Sequence, residues 1–190
     1  MTNNTTEDRA ALVRLISEAA VLRGTFTLRS GKTSSYYIDK YRFTTKPAIL
    51  RSLGALFAER VALIEREAGG KVDRLVGAEL GGIPLVTVAA LETGLDAVFV
   101  RNSKKEYGTA QQIEGVLNAG DRVVFVEDIA TTGGQSVEAI ETVRGAGAEV
   151  VGVISVIDRL EGARANIEGA GVRFESLLTR DDLGIGGEEE

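Results

Sequence analysis

"VVFVEDIATTGGQS", residues Val123–Ser136, decides how this chain is read. A run of apolar residues ends in two adjacent carboxylates, Glu127 and Asp128, and a Thr-Thr-Gly-Gly turn follows at once. Apolar runs without alternation read as strands of a parallel sheet covered on both faces. In such a sheet, ligands bind beyond the carboxyl ends of the strands. "ATTGGQS" leads into a helix N-terminus, where unpaired N–H groups and partial positive charge favour phosphate. Gly133 and Gly134 let a ligand approach the backbone closely, while Thr131, Thr132 and Ser136 add hydroxyl donors. Two carboxylates in contact with a phosphate would repel it. Placed one sugar away, they suit the vicinal hydroxyls of a ribose. The stretch reads as a ribose 5-phosphate clamp, with an ordinary strand-to-helix turn as the plain competitor. It is no P-loop, because no Gly-Lys-Ser/Thr follows, and no dinucleotide fingerprint, because GxGxxG is missing.

Outward from this stretch the pattern alternates. "RLVGAE", "DAVFV", "RVVFVED", "EVVGVISVID" and "VRFESLL" read as strands. "GIPLVTVAALETG", "GGQSVEAIETVRGAG" and the weaker "EGARANIEGAG" read as helices between them. That alternation predicts an α/β fold: a mainly parallel central sheet flanked by helices. Before it, Thr6 caps a helix running to about Leu22, with Leu12, Leu15, Ile16 and Ala19 on one face. "GTFTLRSGKTSSYYID" reads as two short strands around Ser30-Gly31-Lys32. Pro47 opens a second helix with the stripe Leu50, Leu53, Phe57, Val61 and Ile64, stopped by Gly69-Gly70. The polar "RNSKKEYGTAQQ" has no apolar period and reads as a loop. One domain is expected over 1–190, with a small N-terminal hood over about 1–45 and a disordered acidic tail over 185–190.

Composition narrows the chemistry. Hydrophobic residues make up 44% of the 190, enough for a packed core. There is no cysteine and no histidine, which excludes thiolate and Ser-His-Asp chemistry and Cys- or His-ligated metals. Catalysis must rest on carboxylates, Lys, Arg, Tyr, hydroxyls, backbone amides or a hard metal. A net charge of −6 argues against nucleic acid as the main partner. No apolar run approaches the roughly 20 residues of a membrane span, and "MTNNTTEDRA" carries no signal pattern. A cytoplasmic, soluble protein is expected.

With its acidic pair and Thr-Thr-Gly-Gly turn, Val123–Ser136 resembles the motif with which type I phosphoribosyltransferases bind 5-phospho-α-D-ribosyl 1-diphosphate (PRPP). "FTLRSGKTSSYYID", "GAELGGIPL", "RNSKKEYGTAQQIEG" and "SVIDRLEG" are similar, in order, to segments of the orotate phosphoribosyltransferases. The resemblance implies a pentosyltransferase that joins orotate to PRPP, giving orotidine 5′-monophosphate and pyrophosphate in UMP biosynthesis. It implies a homodimer whose loop 101–113 reaches the neighbouring active site. Mg2+ would be carried by the PRPP diphosphate, without direct protein ligands. By the same resemblance, Lys105 and Asp128 are the catalytic residues. PRPP would meet Arg101, Lys105, Tyr107, Glu127, Asp128, Ile129, Ala130, Thr131, Thr132, Gly133, Gly134 and Gln135. Orotate would meet Arg29, Tyr37 and Ile38 through backbone, Thr131, and Arg159.

Some of these roles also make physical sense. Lys104 and Lys105 are two of six lysines and, with Arg101, would stabilise charge developing on a leaving diphosphate. Arg159 offers a donor fork to a planar carboxylate. Tyr36 reads as a core aromatic. "GAELGGIP" fits the family's pyrophosphate loop, which often carries a non-prolyl cis peptide. Three positions depart from the family: Asn102 and Gly81 stand where basic residues are common, and Glu127 replaces the more frequent Asp. The alternatives are transfer to another nucleobase, or a non-catalytic PRPP-sensing regulator. The latter would be expected to show a basic face or an added DNA-binding helix pair.

Overall fold

The structure, a computed structural model, describes residues 5–27, 31, 33–102 and 112–186. In chain order the elements are α1 (Thr5–Ala20), β1 (Val21–Thr27), β2 (Thr33–Ile38), α2 (Tyr41–Thr44), α3 (Pro47–Glu67), β3 (Arg74–Ala78), α4 (Gly82–Thr93) and β4 (Asp96–Val100). After them come β5 (Ile113–Glu114), β6 (Arg122–Ala130), α5 (Gly134–Gly145), β7 (Glu149–Asp158), α6 (Ala163–Gly169) and β8 (Arg173–Thr179).

The central sheet has six strands in the order β5-β4-β3-β6-β7-β8. All neighbouring pairs are parallel except β4 with β5. Numbered along the chain, the five parallel strands lie in the order 2-1-3-4-5, so the connections reverse direction between β3 and β6. Ligand crevices of open α/β sheets lie at that reversal. The crevice here is bounded by the carboxyl ends of β3 and β6.

Apolar side chains pack on both faces, as a two-sided parallel sheet requires. Leu75, Val124, Val126, Ile154 and Val156 pack with α1, α3 and α4. Val76, Val98, Val123, Phe125 and Val153 pack with α5 and α6. β1 and β2 form a separate antiparallel pair outside this sheet.

The helical stripes shift slightly from the expected ones. In α1, Leu12, Ile16 and Ala19 are buried, but Leu15 at the edge of the stripe is 40% exposed. In α3, Ile49 takes the buried place expected for Leu50. Pro47 opens α3 as expected, because its missing N–H falls where no helical partner exists. The short β5, antiparallel to β4, was not legible in the polar stretch before it. The tail also needs correction: Ile185, placed in it by sequence, is 1% exposed and belongs to the core. Ser17 Oγ donates to Leu183 O at 3.3 Å and Arg23 donates to Gly184 O at 3.1 Å, tying this end to the N-terminal elements.

Candidate active site

The strand carrying the acidic pair is longer than its sequence indicated. β6 continues two residues beyond Asp128, because β7 runs beside it and pairs Glu127, Ile129 and Ala130 with Ser155, Ile157 and Asp158. Glu127 and Asp128 therefore stand inside a hydrogen-bonded strand end. Successive strand residues point to opposite faces. Glu127 meets Ser136 of α5, whose Oγ donates to Oε2 at 3.4 Å, and also accepts the Asp128 N–H at 3.2 Å. Asp128 turns the other way and is 3% exposed. Its Oδ1 accepts the Ile129 N–H at 2.6 Å, and its Oδ2 lies 2.9 Å from Lys40 Nζ.

The electrostatics follow from this packing. Burial pushes the Glu127 carboxyl up to about 8, and the adjacent Asp128 charge adds to the shift. Burial pulls the Lys40 ammonium down, but the charge and hydrogen bond of Asp128, with Tyr41 and Glu127, carry it above the ordinary lysine value.

The turn after β6 is held from beneath by α6. Ala163 N–H donates to Thr131 O at 3.1 Å, and the Asn166 amide donates to Thr132 O at 2.7 Å. In a trans peptide the next N–H points opposite the carbonyl. With these carbonyls on α6, the N–H groups of Thr132 and Gly133 face away from it. Gly133 caps α5 at φ 79°, and an added Cβ would sit 3.1 Å from Ala163 Cα, so a side chain is excluded on two counts. α5 has no side-chain cap and no acidic residue in its first turn. Its N-terminus is left to an anion.

Across the reversal, β3 leads into α4, which likewise lacks a side-chain cap and an acidic first turn. The Glu79–Leu80 peptide between them is cis. Glu79 N–H donates to Val100 O at 2.8 Å, and its carboxylate accepts Asn102 N–H at 2.8 Å. Gly81 leaves room for the acidic pair, since a Cβ there would overlap the Asp128 carboxylate.

Together these elements enclose a cavity of about 560 Å³. Of the residues expected from sequence, it brings together Tyr37, Ile38, Arg101, Glu127, Asp128, Ile129, Ala130, Thr131, Thr132, Gly133, Gly134, Gln135 and Arg159. Arg29, Lys104, Lys105 and Tyr107 lie outside the described residues. Arg159 is held by Glu161 at 2.8 Å and by Tyr36, whose hydroxyl accepts from it at 3.3 Å and whose ring centroid lies 5.5 Å away. Tyr36 is 1% exposed, so it is a core aromatic that also steadies Arg159. Arg101 approaches Glu114 at 3.8 Å. Sequence reasoning missed Lys40, Glu79, Glu161 and Asn166. Glu79 and Glu161 fall inside the segments "GAELGGIPL" and "SVIDRLEG" but drew no role from them, and Lys40 and Asn166 lie outside those segments. The fold brings Lys40 and Glu79 to the cavity lining, while Glu161 and Asn166 act from behind it, on Arg159 and on Thr132 O.

Mg2+ is typically held by one or two carboxylates together with substrate phosphates and waters. No group of three or more Asp, Glu, His or Cys suited to a metal occurs among the described residues. With Lys40 on Asp128 and Ser136 on Glu127, the two carboxylates offer at most a partial set of ligands, and that donor set fits an ion arriving with a phosphate substrate.

A carboxylate pair, an uncapped helix N-terminus on each side and an arginine beyond them define a class: an α/β protein that binds a phosphorylated sugar at its topological switch point. A phosphoribosyl transferase domain family model matches residues 42–176. An orotate phosphoribosyltransferase of Natronomonas pharaonis is 49% identical over 164 residues, covering 86% of this chain and 90% of that one. One from Pyrococcus furiosus is 43% identical over 173 residues, covering 90% and 93%. The crystal structure of Mycobacterium tuberculosis orotate phosphoribosyltransferase in complex with PRPP superposes with a TM-score of 0.76 at 36% identity, covering 93% of this chain and 99% of that one. The chain belongs to the phosphoribosyl transferase family and, within it, to the orotate phosphoribosyltransferases. Among the described residues, no helix is long and apolar enough to cross a membrane.

Proposed function

We propose that this protein transfers the ribose 5-phosphate of PRPP to orotate, giving orotidine 5′-monophosphate and pyrophosphate in pyrimidine synthesis. The observation that carries the reading is the placement of Glu127 and Asp128 between two uncapped helix N-termini, α4 and α5. Glu127 and Asp128 take the ribose hydroxyls. Thr131, Thr132, Gly133, Gly134 and Gln135 take the 5-phosphate at the start of α5. The diphosphate lies toward Arg101 and the β3–α4 turn. Arg159 receives the orotate carboxylate, with Tyr37, Ile38 and Thr131 along the ring. Its donor fork is already oriented by Glu161 and Tyr36, so less ordering remains to be done when the substrate arrives.

The bond from the anomeric carbon to the diphosphate breaks with its electron pair going to the leaving oxygen, and the orotate ring nitrogen supplies the new pair. The protein contributes positioning and charge stabilisation. No imidazole base takes part, since the chain has no histidine. Mg2+, when bound on the diphosphate, offsets its negative charge. Arg29, Lys105 and Tyr107 are assigned by family resemblance, Lys105 and Tyr107 to the diphosphate and Arg29 to orotate. The same resemblance supports a homodimer in which loop 101–113 serves the neighbouring site, in the cytoplasm.

The test is an absorbance assay of orotate consumption, with uracil and adenine run in parallel. PRPP- and Mg2+-dependent loss of orotate alone is the expected result. Turnover of another base, or PRPP binding without turnover of any, would overturn the assignment.

A further inference from the structure

Lys40 lies just past β2, far in sequence from the acidic pair, yet its ammonium stands 2.9 Å from Asp128. An ammonium has three N–H donors. Asp128 occupies one, and no other hydrogen-bond partner is found among the described residues. Lys40 lines the cavity, with its side chain 35% exposed.

The strand alternation fixes which end of the substrate it faces. Glu127 turns to Ser136 and α5, the side of the 5-phosphate. Asp128 turns to Lys40 and Gly81, the side of the β3–α4 turn. In the sugar of PRPP, the 2-hydroxyl and the diphosphate sit on adjacent carbons. A cation paired with the carboxylate on the anomeric side therefore stands beside the diphosphate. The space is open because Gly81 has no side chain: a Cβ there would overlap Asp128 and lie 3.3 Å from Lys40 Cδ. The other described cations lining the cavity have carboxylate partners of their own, Arg101 with Glu114 and Arg159 with Glu161. Neither of those carboxylates belongs to the ribose pair.

Resting on the ribose-clamp reading above, we propose that Lys40 is a diphosphate-binding residue of this active site. It bridges Asp128 and the leaving group, and supplies positive charge where Gly81 supplies none. The competing role is purely structural, a prop that only orients Asp128. The two differ in which ligands feel the loss. A prop serves the ribose grip and matters equally for ribose 5-phosphate and PRPP. A diphosphate contact matters for PRPP and inorganic pyrophosphate.

Calorimetric titration of wild type, Lys40→Met and Lys40→Arg with PRPP, pyrophosphate and ribose 5-phosphate separates them. Lys40→Met should weaken PRPP and pyrophosphate by about tenfold or more, the scale of one charge-assisted hydrogen bond. Ribose 5-phosphate should bind as well or better, because Asp128 Oδ2 is freed. Lys40→Arg should recover much of the loss. Equal weakening of all three ligands, or unchanged pyrophosphate affinity, would overturn the proposal. Failure of the wild type itself to bind PRPP would instead overturn the ribose-clamp reading. Lys40→Gln serves as the second variant should Lys40→Met fold poorly.

Discussion

The surroundings of Glu127 hold its carboxyl well above the ordinary glutamate value. Its folded pKa of about 8 lies above the usual 4.5 because burial and the Asp128 charge disfavour ionisation. A carboxyl raised in the folded state contributes stability that is complete below the ordinary value and is lost as pH rises through about 8. Thermal unfolding of wild type and Glu127→Gln across that window should show wild type losing ground as pH rises. A constant difference would mean Glu127 titrates normally. Asp128→Asn removes one source of the shift and should lower the Glu127 midpoint in a carbon-detected NMR titration. The same variant should weaken PRPP by about 10- to 100-fold, since a hydrogen bond to a charged group contributes about 1.5–3 kcal/mol. Wild-type affinity measured by calorimetry would remove Asp128 from the ribose grip. At this scale the acidic pair was legible because two carboxylates ending an apolar run have no packing rationale. Lys40 was not, because a lysine after a hairpin strand looks like any solvated cation.

Two glycines set how closely the elements can approach. A Cβ on Gly77 in β3 would stand 2.6 Å from Val86 Cγ1 and 2.8 Å from Gly82 O, so α4 lies directly on that strand. Gly77→Ala should destabilise the protein by about 1–3 kcal/mol, the usual cost of overpacking. It should also raise the KM for PRPP, because the start of α4 moves relative to Asp128. Urea denaturation and steady-state kinetics check the two halves separately. Gly133→Ala is expected to act on the phosphate loop, where both φ and the approach of α6 exclude a side chain. Element types and order could be read from the alternation of apolar runs with glycine-closed helical stripes. Their ends could not: β6 gained Ile129 and Ala130 from its pairing with β7, a long-range contact that no local pattern encodes. Ile185 joined the core for the same reason, through packing against elements near the opposite end of the chain.

For the whole molecule, the reversal between β3 and β6 turns separate loops into one site. It places α4 and α5 on opposite sides of the acidic pair, so one substrate can present a phosphate to each helix end. The order of strands in the sheet was not legible in the sequence. The parallel architecture was, and the crossover rule then located the crevice. The proposed dimer makes a prediction at this scale. Mixing Lys105→Ala subunits with Asp128→Asn subunits should restore activity that neither variant shows alone, because one site in the mixed dimer would be intact. Rescue absent from a verified mixed dimer would mean that each chain completes its own site. The most direct measurement of the central claim is the electron density of PRPP bound to this protein. The account predicts the ribose hydroxyls on Glu127 and Asp128, the 5-phosphate at the start of α5 and the diphosphate toward Lys40 and α4. Density with the diphosphate on the Thr131–Gln135 turn, or with the ribose away from the acidic pair, would contradict it.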